Sequence, residues 1–437
     1  MFKILIIISA LIFSSCDDSP RVYGPTTFVV GQQVTVEMTK GSTLKENGFS
    51  IIDSSGQIFT SSNPLVEYEW IGKNEFSFRI PSGIASGKGV IKVEGSSEIY
   101  SLDLNLIRGL IWSDSVGTLT LSDMNLPANE VKTAQVGEGY NIIRIIDEQS
   151  RIVVLSPASG QIDYFTMDGE DQRSMGLFAP SLVLQSTTQG INAQPVDVIA
   201  IPSGLVIAAD KGIAGIKVVN AGGTTTTFDS WIYSDGATRS LDISGEYINS
   251  EQDTVKLIAA AGVNAANESV IILFELRTFP RASTPKDVIV LSSDSNVSDV
   301  AVNEGGTHAA AVIPTENTLY LVNTSTQSVV PTNISDCSQP TAVEFVAGGE
   351  KIAILCSGSD SVQVYTVSGT TANHFKTISA GTTDNHVAGM FYAADGRVYV
   401  SLEKGGIVYF DASSSNPVLQ ELPNSSFIKS SSFVVQP

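Results

Sequence analysis

From Gly109 onward, one motif returns seven times: a strand of small residues, a turn holding Gly or Asp, then an alternating apolar strand. The landmarks are Leu119-Thr120-Leu121, Ile162-Asp163-Tyr164-Phe165, Ile216-Lys217-Val218-Val219 and Ile271-Ile272-Leu273-Phe274. They continue with Leu319-Tyr320-Leu321-Val322, Val362-Gln363-Val364-Tyr365 and Ile407-Val408-Tyr409-Phe410, roughly 43 to 55 residues apart. A unit of this size cannot bury its apolar faces alone, so neighbouring units must stack. Short β-strands at this period fit the blades of a β-propeller, and seven landmarks predict seven blades. The ends strengthen this reading. Gly109 to Val136 offers three strands with no inner strand before them, while Phe427 to Val435 is a lone strand with no followers. Joined, they complete one blade and close the ring, which removes exposed sheet edges.

Helical periodicity is nearly absent after the first residues, so the chain reads as all-β. Before the repeats, a block from about Arg21 to Ile107 holds alternating runs such as Gln33-Val34-Thr35-Val36, Glu75-Phe76-Ser77-Phe78 and Gly89-Val90-Ile91-Lys92-Val93. Strands of this length and spacing predict a small immunoglobulin-like β-sandwich. Val30-Gly31, Gly48-Phe49, Phe78-Arg79-Ile80-Pro81 and Gly87 before the last strand make this block resemble the IPT/TIG family. That resemblance implies a spacer or binding module. The last repeats, with Asp360-Ser361-Val362-Gln363-Val364-Tyr365 and Asp395-Gly396-Arg397-Val398-Tyr399-Val400-Ser401, resemble the YVTN-type β-propeller repeat. Tryptophan-aspartate blade signatures are missing.

The chain opens with Lys3, an apolar run from Ile4 to Phe13, and Ser14-Ser15-Cys16. About ten apolar residues are too few to span a ~30 Å hydrocarbon core, which points to an export signal. The pattern resembles a bacterial lipoprotein signal, implying cleavage before Cys16 and acyl chains on its thiol; an ordinary secretory peptide is the alternative. The expected organisation is residues 1–15 signal peptide, 16–21 lipidated tether, 22–107 sandwich and 108–437 propeller. This would place the protein in the cell envelope, held to a membrane by its N-terminal lipid.

A formal net charge of −20 makes nucleic acid a poor partner, because such a surface repels phosphate. With three cysteines and three histidines and no Cys-x-x-Cys spacing, a structural zinc site is not expected, nor is any other metal or cofactor. The acidic segments Asp168 to Asp171 and Asp242 to Asp253 lack calcium-loop spacing and read as solvated turns. Cys337, in the connection entering the strand from Thr341, and Cys356, expected about opposite Thr341, are either a disulfide or two buried thiols.

Several propellers are enzymes, and candidate chemistry falls at the starts of the inner strands, which ring the channel mouth. Asp197, Arg239, Asp299, His386 and Lys429 occupy those positions. They form either a polar-ligand site or a self-paired, water-filled channel. His308 lies on an alternating strand and reads as structural; His374 reads as part of a polar turn. No Gly-x-Ser-x-Gly elbow exists, so no catalytic residue is assigned. The favoured function is a non-catalytic binding or scaffold head for a protein or glycan partner. The alternative is a lactonase- or dehydrogenase-like enzyme with His386 and nearby carboxylates as acid and base.

Overall fold

Runs such as His308-Ala309-Ala310-Ala311-Val312-Ile313 carry no polar residue on either face after the histidine. A strand can tolerate that only if both of its faces are buried. The computed structural model satisfies this by stacking sheets against one another. It describes residues 22–23, 27–29, 33–38, 44–60, 68–70, 75–81, 84–95, 99–124, 126–139, 141–146, 151–158, 161–166, 183–188, 195–200, 205–210, 215–220, 236–248, 253–277, 287–293, 297–334, 336–393, 395–426, 428–430 and 432–435. The leader, Cys16, the tether and the Asp168 to Asp171 segment lie outside the described residues. Among the described residues the secondary structure is strand, with two single-turn 3-10 helices at Ala347–Gly349 and Ser357–Ser359. Among the described residues no helix is long and apolar enough to cross a membrane.

The described residues between 22 and 107 form two sheets. One orders Val22–Tyr23, Gln33–Met38, Glu75–Arg79 and Tyr68–Trp70; the other orders Thr27–Val29, Ile99–Ile107, Gly87–Gly95, Leu44–Ile52 and Ile58–Thr60. Their common core holds Phe28, Phe49, Ile51, Phe59, Phe78 and Ile91, each almost fully buried. Burial on this scale contributes about 1.5–3 kcal/mol for each large side chain. Thr27–Val29 pairs parallel with Asn105 to Ile107, and this places Val29 and Ile107 against Ile111, Leu119, Ile143 and Phe165 of the following region. The junction is also pinned by Arg108, whose Nη2 lies 2.7 Å from Asp395 Oδ2.

After Ile107 come seven further sheets in chain order, the third with three described strands and the others with four. Six of them start from an inner strand: Ile142–Ile146, Pro195–Ala200, Gly236–Ile248, Asp299–Val302, Pro340–Val346 and Val387–Tyr392. The remaining sheet takes its inner strand, Phe433–Val435, from the far end of the chain, beside Gly109–Ser113. The register pairs Leu110 with Val435, Ile111 with Val434 and Trp112 with Phe433. Each inner strand packs against the next, and Val387–Tyr392 packs against Phe433–Val435, so the arrangement is that of a β-propeller.

The second strands explain the alanine runs. Ala309 and Ala311 face the preceding sheet, packing with Ala259, Ala261 and Leu273. Ala310 and Val312 face the following one, with Val343, Ile352 and Ile354. Period-2 alternation thus feeds two cores at once, and small side chains suit strands lying near the axis, where neighbouring sheets converge.

Three details differ from the sequence expectation. His374 lies inside the outer strand Thr371–Ser379, not in a turn, with Nε2 3.0 Å from Thr377 Oγ1. Asp242 lies inside Gly236–Ile248 because that strand continues through the polar residues. An irregularity between Pro340 and Ala342 puts Pro340, not Thr341, opposite Cys356. Cys337 and Cys356 are joined by a disulfide, Cα atoms 5.1 Å apart, and both are fully buried.

Candidate functional site

Polar residues on the inner strands collect around the axis as a hydrogen-bonded belt. Arg144, on Ile142–Ile146, places Nη2 3.0 Å from Oδ1 of Asp197 on the next inner strand. Oδ2 of Asp197 accepts from the backbone N–H of Leu241 at 3.0 Å, one sheet further. Ser240 then bridges onward: its hydroxyl donates to Asp299 Oδ1 at 2.5 Å and lies 3.3 Å from Asp197 Oδ2. Asp299 Oδ2 accepts from Val343 N–H at 2.8 Å, which extends the belt to a fifth strand. A second acidic tier lies alongside. Asp242 accepts from Val302 N–H at 2.6 Å, and Glu344 is close enough to feel the charges of Asp242, Asp299 and Asp197.

Side-chain alternation brings this about. Ser240 and Asp242, like Ala342 and Glu344, are two apart and share a strand face. Where carboxylates from adjacent strands meet within walls of sheet, losing water and repelling one another both favour the neutral form. Asp299 is pushed up to about 6, first by burial and then by Asp197, against the lowering pull of Ser240 and the Val343 N–H. Asp242 rises to about 7 by burial, with Asp299 adding to the effect while the Val302 N–H and Arg144 oppose it. Glu344 is raised well above the carboxylate range, by burial and then by Asp242 and Asp299.

The five candidate residues do not form one ring of ligands. Asp197 and Asp299 join the belt. Arg239 lies within Gly236–Ile248, and its buried Nε has no hydrogen-bond partner among the described residues. His386 lies at the rim, its Nδ1 2.8 Å from Asp360 Oδ2, and the hydrogen bond and charge of Asp360 hold the imidazole above its ordinary value. Asp360 uses its other oxygen on Val387 N–H at 3.1 Å and takes a left-handed backbone (φ 50°, ψ 41°), fastening one sheet to the next. Lys429 precedes the closing strand and borders a separate cavity beside it.

Sequence reasoning missed Arg144, Ser240, Asp242 and Glu344. The available signal was a polar residue inside an inner strand, where an apolar one would otherwise pack. Among the described residues, none of the three histidines hydrogen-bonds into the belt: His308 pairs with Thr307 at 3.0 Å, His374 with Thr377 and His386 with Asp360. Nor is any group of three or more His, Cys, Asp or Glu arranged to hold a metal ion among those residues. The belt can stitch strands together, hold protons near neutrality and favour cations over anions. A nucleophile beside an imidazole base is not part of it.

Neither a protein-family model nor a curated protein sequence matches the chain. Solved structures do. A functionally unknown protein from Desulfotomaculum acetoxidans is similar over 76% of this chain and 99% of its own, with 10% identity and a TM-score of 0.53. A proposed 6-phosphogluconolactonase from Bacteroides fragilis matches over 76% and 98%, with 10% identity and a TM-score of 0.54. Another from Bacteroides uniformis matches over 75% and 99%, with 9% identity and a TM-score of 0.53. At such identities the likeness is one of fold.

Proposed function

We propose that this chain is a lipid-anchored protein of the cell envelope whose seven-bladed propeller serves as a non-catalytic binding head for a protein or glycan. In this reading residues 16–21 are the acylated tether, 22–107 an IPT/TIG-like spacer and 108–437 the propeller. One observation carries it: the channel carboxylates are engaged in bracing. Asp197, Asp242 and Asp299 each accept a backbone N–H from a neighbouring inner strand. Groups committed to holding sheets together are poorly placed to swing toward a reacting atom.

Two experiments test this. Cys16→Ala should move the protein from the membrane to the soluble fraction, and mass spectrometry of the wild type should find acyl chains on an N-terminal cysteine. A pull-down from detergent-solubilised membranes should recover a partner whose capture survives Asp299→Asn and His386→Gln. An unmodified Cys16, or an intact leader, would overturn the anchor.

The second reading is a lactonase-like enzyme, favoured by acids that titrate near neutrality in the channel. The likeness in fold to proposed 6-phosphogluconolactonases supports it. Turnover of a sugar lactone that disappears in Asp242→Asn, with the variant still folded, would establish this reading and displace the first.

A further inference from the structure

We infer that Arg108 locks the N-terminal two-sheet module and the propeller into one rigid body, by gripping the first and last sheets of the ring at the seam where it closes. This goes beyond the reading of residues 22–107 as a spacer and is independent of what the protein binds. The N-terminal module ends with strand Ile99–Ile107 and the propeller starts with Gly109–Ser113, so Arg108 is the one residue between them. Joined modules move relative to one another unless a broad apolar interface holds them. Among the described residues, the N-terminal module gives two buried side chains, Val29 and Ile107, to the apolar contact with the ring. A contact that narrow leaves the stiffness of the junction to Arg108.

Arg108 is held at both ends. Its backbone carbonyl accepts the Met124 N–H at 2.8 Å, just past strand Thr118–Asp123 of the first sheet of the ring. Its guanidinium reaches the other way, with Nη2 2.7 Å from Oδ2 of Asp395, in the turn before Arg397–Leu402 of the last sheet. Both side chains are largely shielded, at 15% and 17% exposure. A charge-assisted hydrogen bond in such a place is stronger and less screened by salt than an ion pair on the open surface.

Asp395 is built to receive it. Its Oδ1 accepts the Arg397 N–H at 3.1 Å and its Oδ2 accepts the Tyr399 hydroxyl at 2.8 Å, so the carboxylate is oriented independently of Arg108. Arg397 adds a second cation, 3.7 Å from the same oxygen, and lies over the Tyr409 ring. Tyr399 is fully buried and its hydroxyl also lies 3.9 Å from Met124 Sδ, so groups of the first and last sheets close around one point. Strand pairing between Gly109–Ser113 and Phe433–Val435 extends over three residue pairs. Arg108, Asp395 and Tyr399 form a second fastening on that seam, and this one also carries the N-terminal module.

Hydrogen–deuterium exchange of the full chain, read by mass spectrometry, tests the lock. Arg108→Met keeps an apolar stem and removes the charge. It should speed exchange about tenfold in peptides covering Thr27–Val29, Gly109–Ser113 and Phe433–Val435, the size expected for losing one shielded charge-assisted hydrogen bond. Strand His308–Ile313, in the fifth sheet of the ring, should exchange as in the wild type. Asp395→Asn should act alike, and the double variant should be no faster than either single one, because both changes remove one interaction. If Arg108→Met does not fold, Asp395→Asn carries the test, since the amide keeps the Arg397 N–H and the shape of the turn. Unchanged exchange at the seam, a rise spread evenly over all peptides, or additive effects in the double variant would each overturn the lock. Small-angle scattering of the wild type should fit one orientation of the N-terminal module on the ring, and Arg108→Met should need several. A wild type that itself needs several orientations would overturn the single rigid body.

Discussion

Removing one charge from the channel should stabilise the protein at alkaline pH and leave it unchanged in acid; Asp299→Asn tests this. The folded Asp299 carboxyl titrates near 6, against 3.8 when unhindered. A raised carboxyl means that the folded state holds its proton more tightly than the unfolded one. Its stabilising contribution is therefore complete below about pH 4 and is lost as pH climbs through about 6. Two units correspond to about 3 kcal/mol. Asp299 is only partly shielded from solvent, which screens part of that and leaves about 1–2 kcal/mol to recover at pH 8.

Asparagine suits the position. Its Oδ1 can keep the Val343 N–H, and its Nδ2 can donate to Ser240 Oγ, whose proton then turns to Asp197. Urea unfolding of both proteins at about pH 4, 6 and 8 provides the assay. Comparing variant with wild type cancels carboxylates of the opposite sense. Asp411, for example, is held low by Ser413 and loses its stabilisation as pH falls. The expected gain grows from nothing at pH 4 to its full size at pH 8. An unchanged or less stable variant at pH 8 would show that Asp299 is not under charge strain.

Replacing Cys337 and Cys356 by alanine releases a loop with a sequence separation of 19 and should cost about 3 kcal/mol, read as a shift in urea midpoint that reduction reproduces in the wild type. Deleting Phe433–Val435 opens Gly109–Ser113 as a bare edge, so size-exclusion chromatography should show aggregation; unchanged melting and elution would refute closure of the ring. Proton NMR should place the His386 imidazole above 6.5 and return it toward that value in Asp360→Asn. The stabilisation from that raised histidine is present at low pH and fades as pH rises through the folded value.

Composition and periodicity alone determined that the chain is all-β, that a block before Gly109 differs from the repeats after it, and that the last strand belongs beside the first repeat. Those features are local, since strand alternation and turn chemistry act over a few residues and the repeat advertises itself. The site was legible only in part. Asp197 and Asp299 were visible as strand-start acids, but Ser240, Asp242 and Glu344 look like ordinary polar interruptions until the strands are set side by side. Which carboxylate meets which backbone N–H depends on the stagger between neighbouring inner strands, and a single strand carries no record of that stagger. Arg108 and Asp395 are 287 residues apart. Only closure of the ring sets them side by side, because the pairing of Trp112 with Phe433 fixes where both chain ends lie.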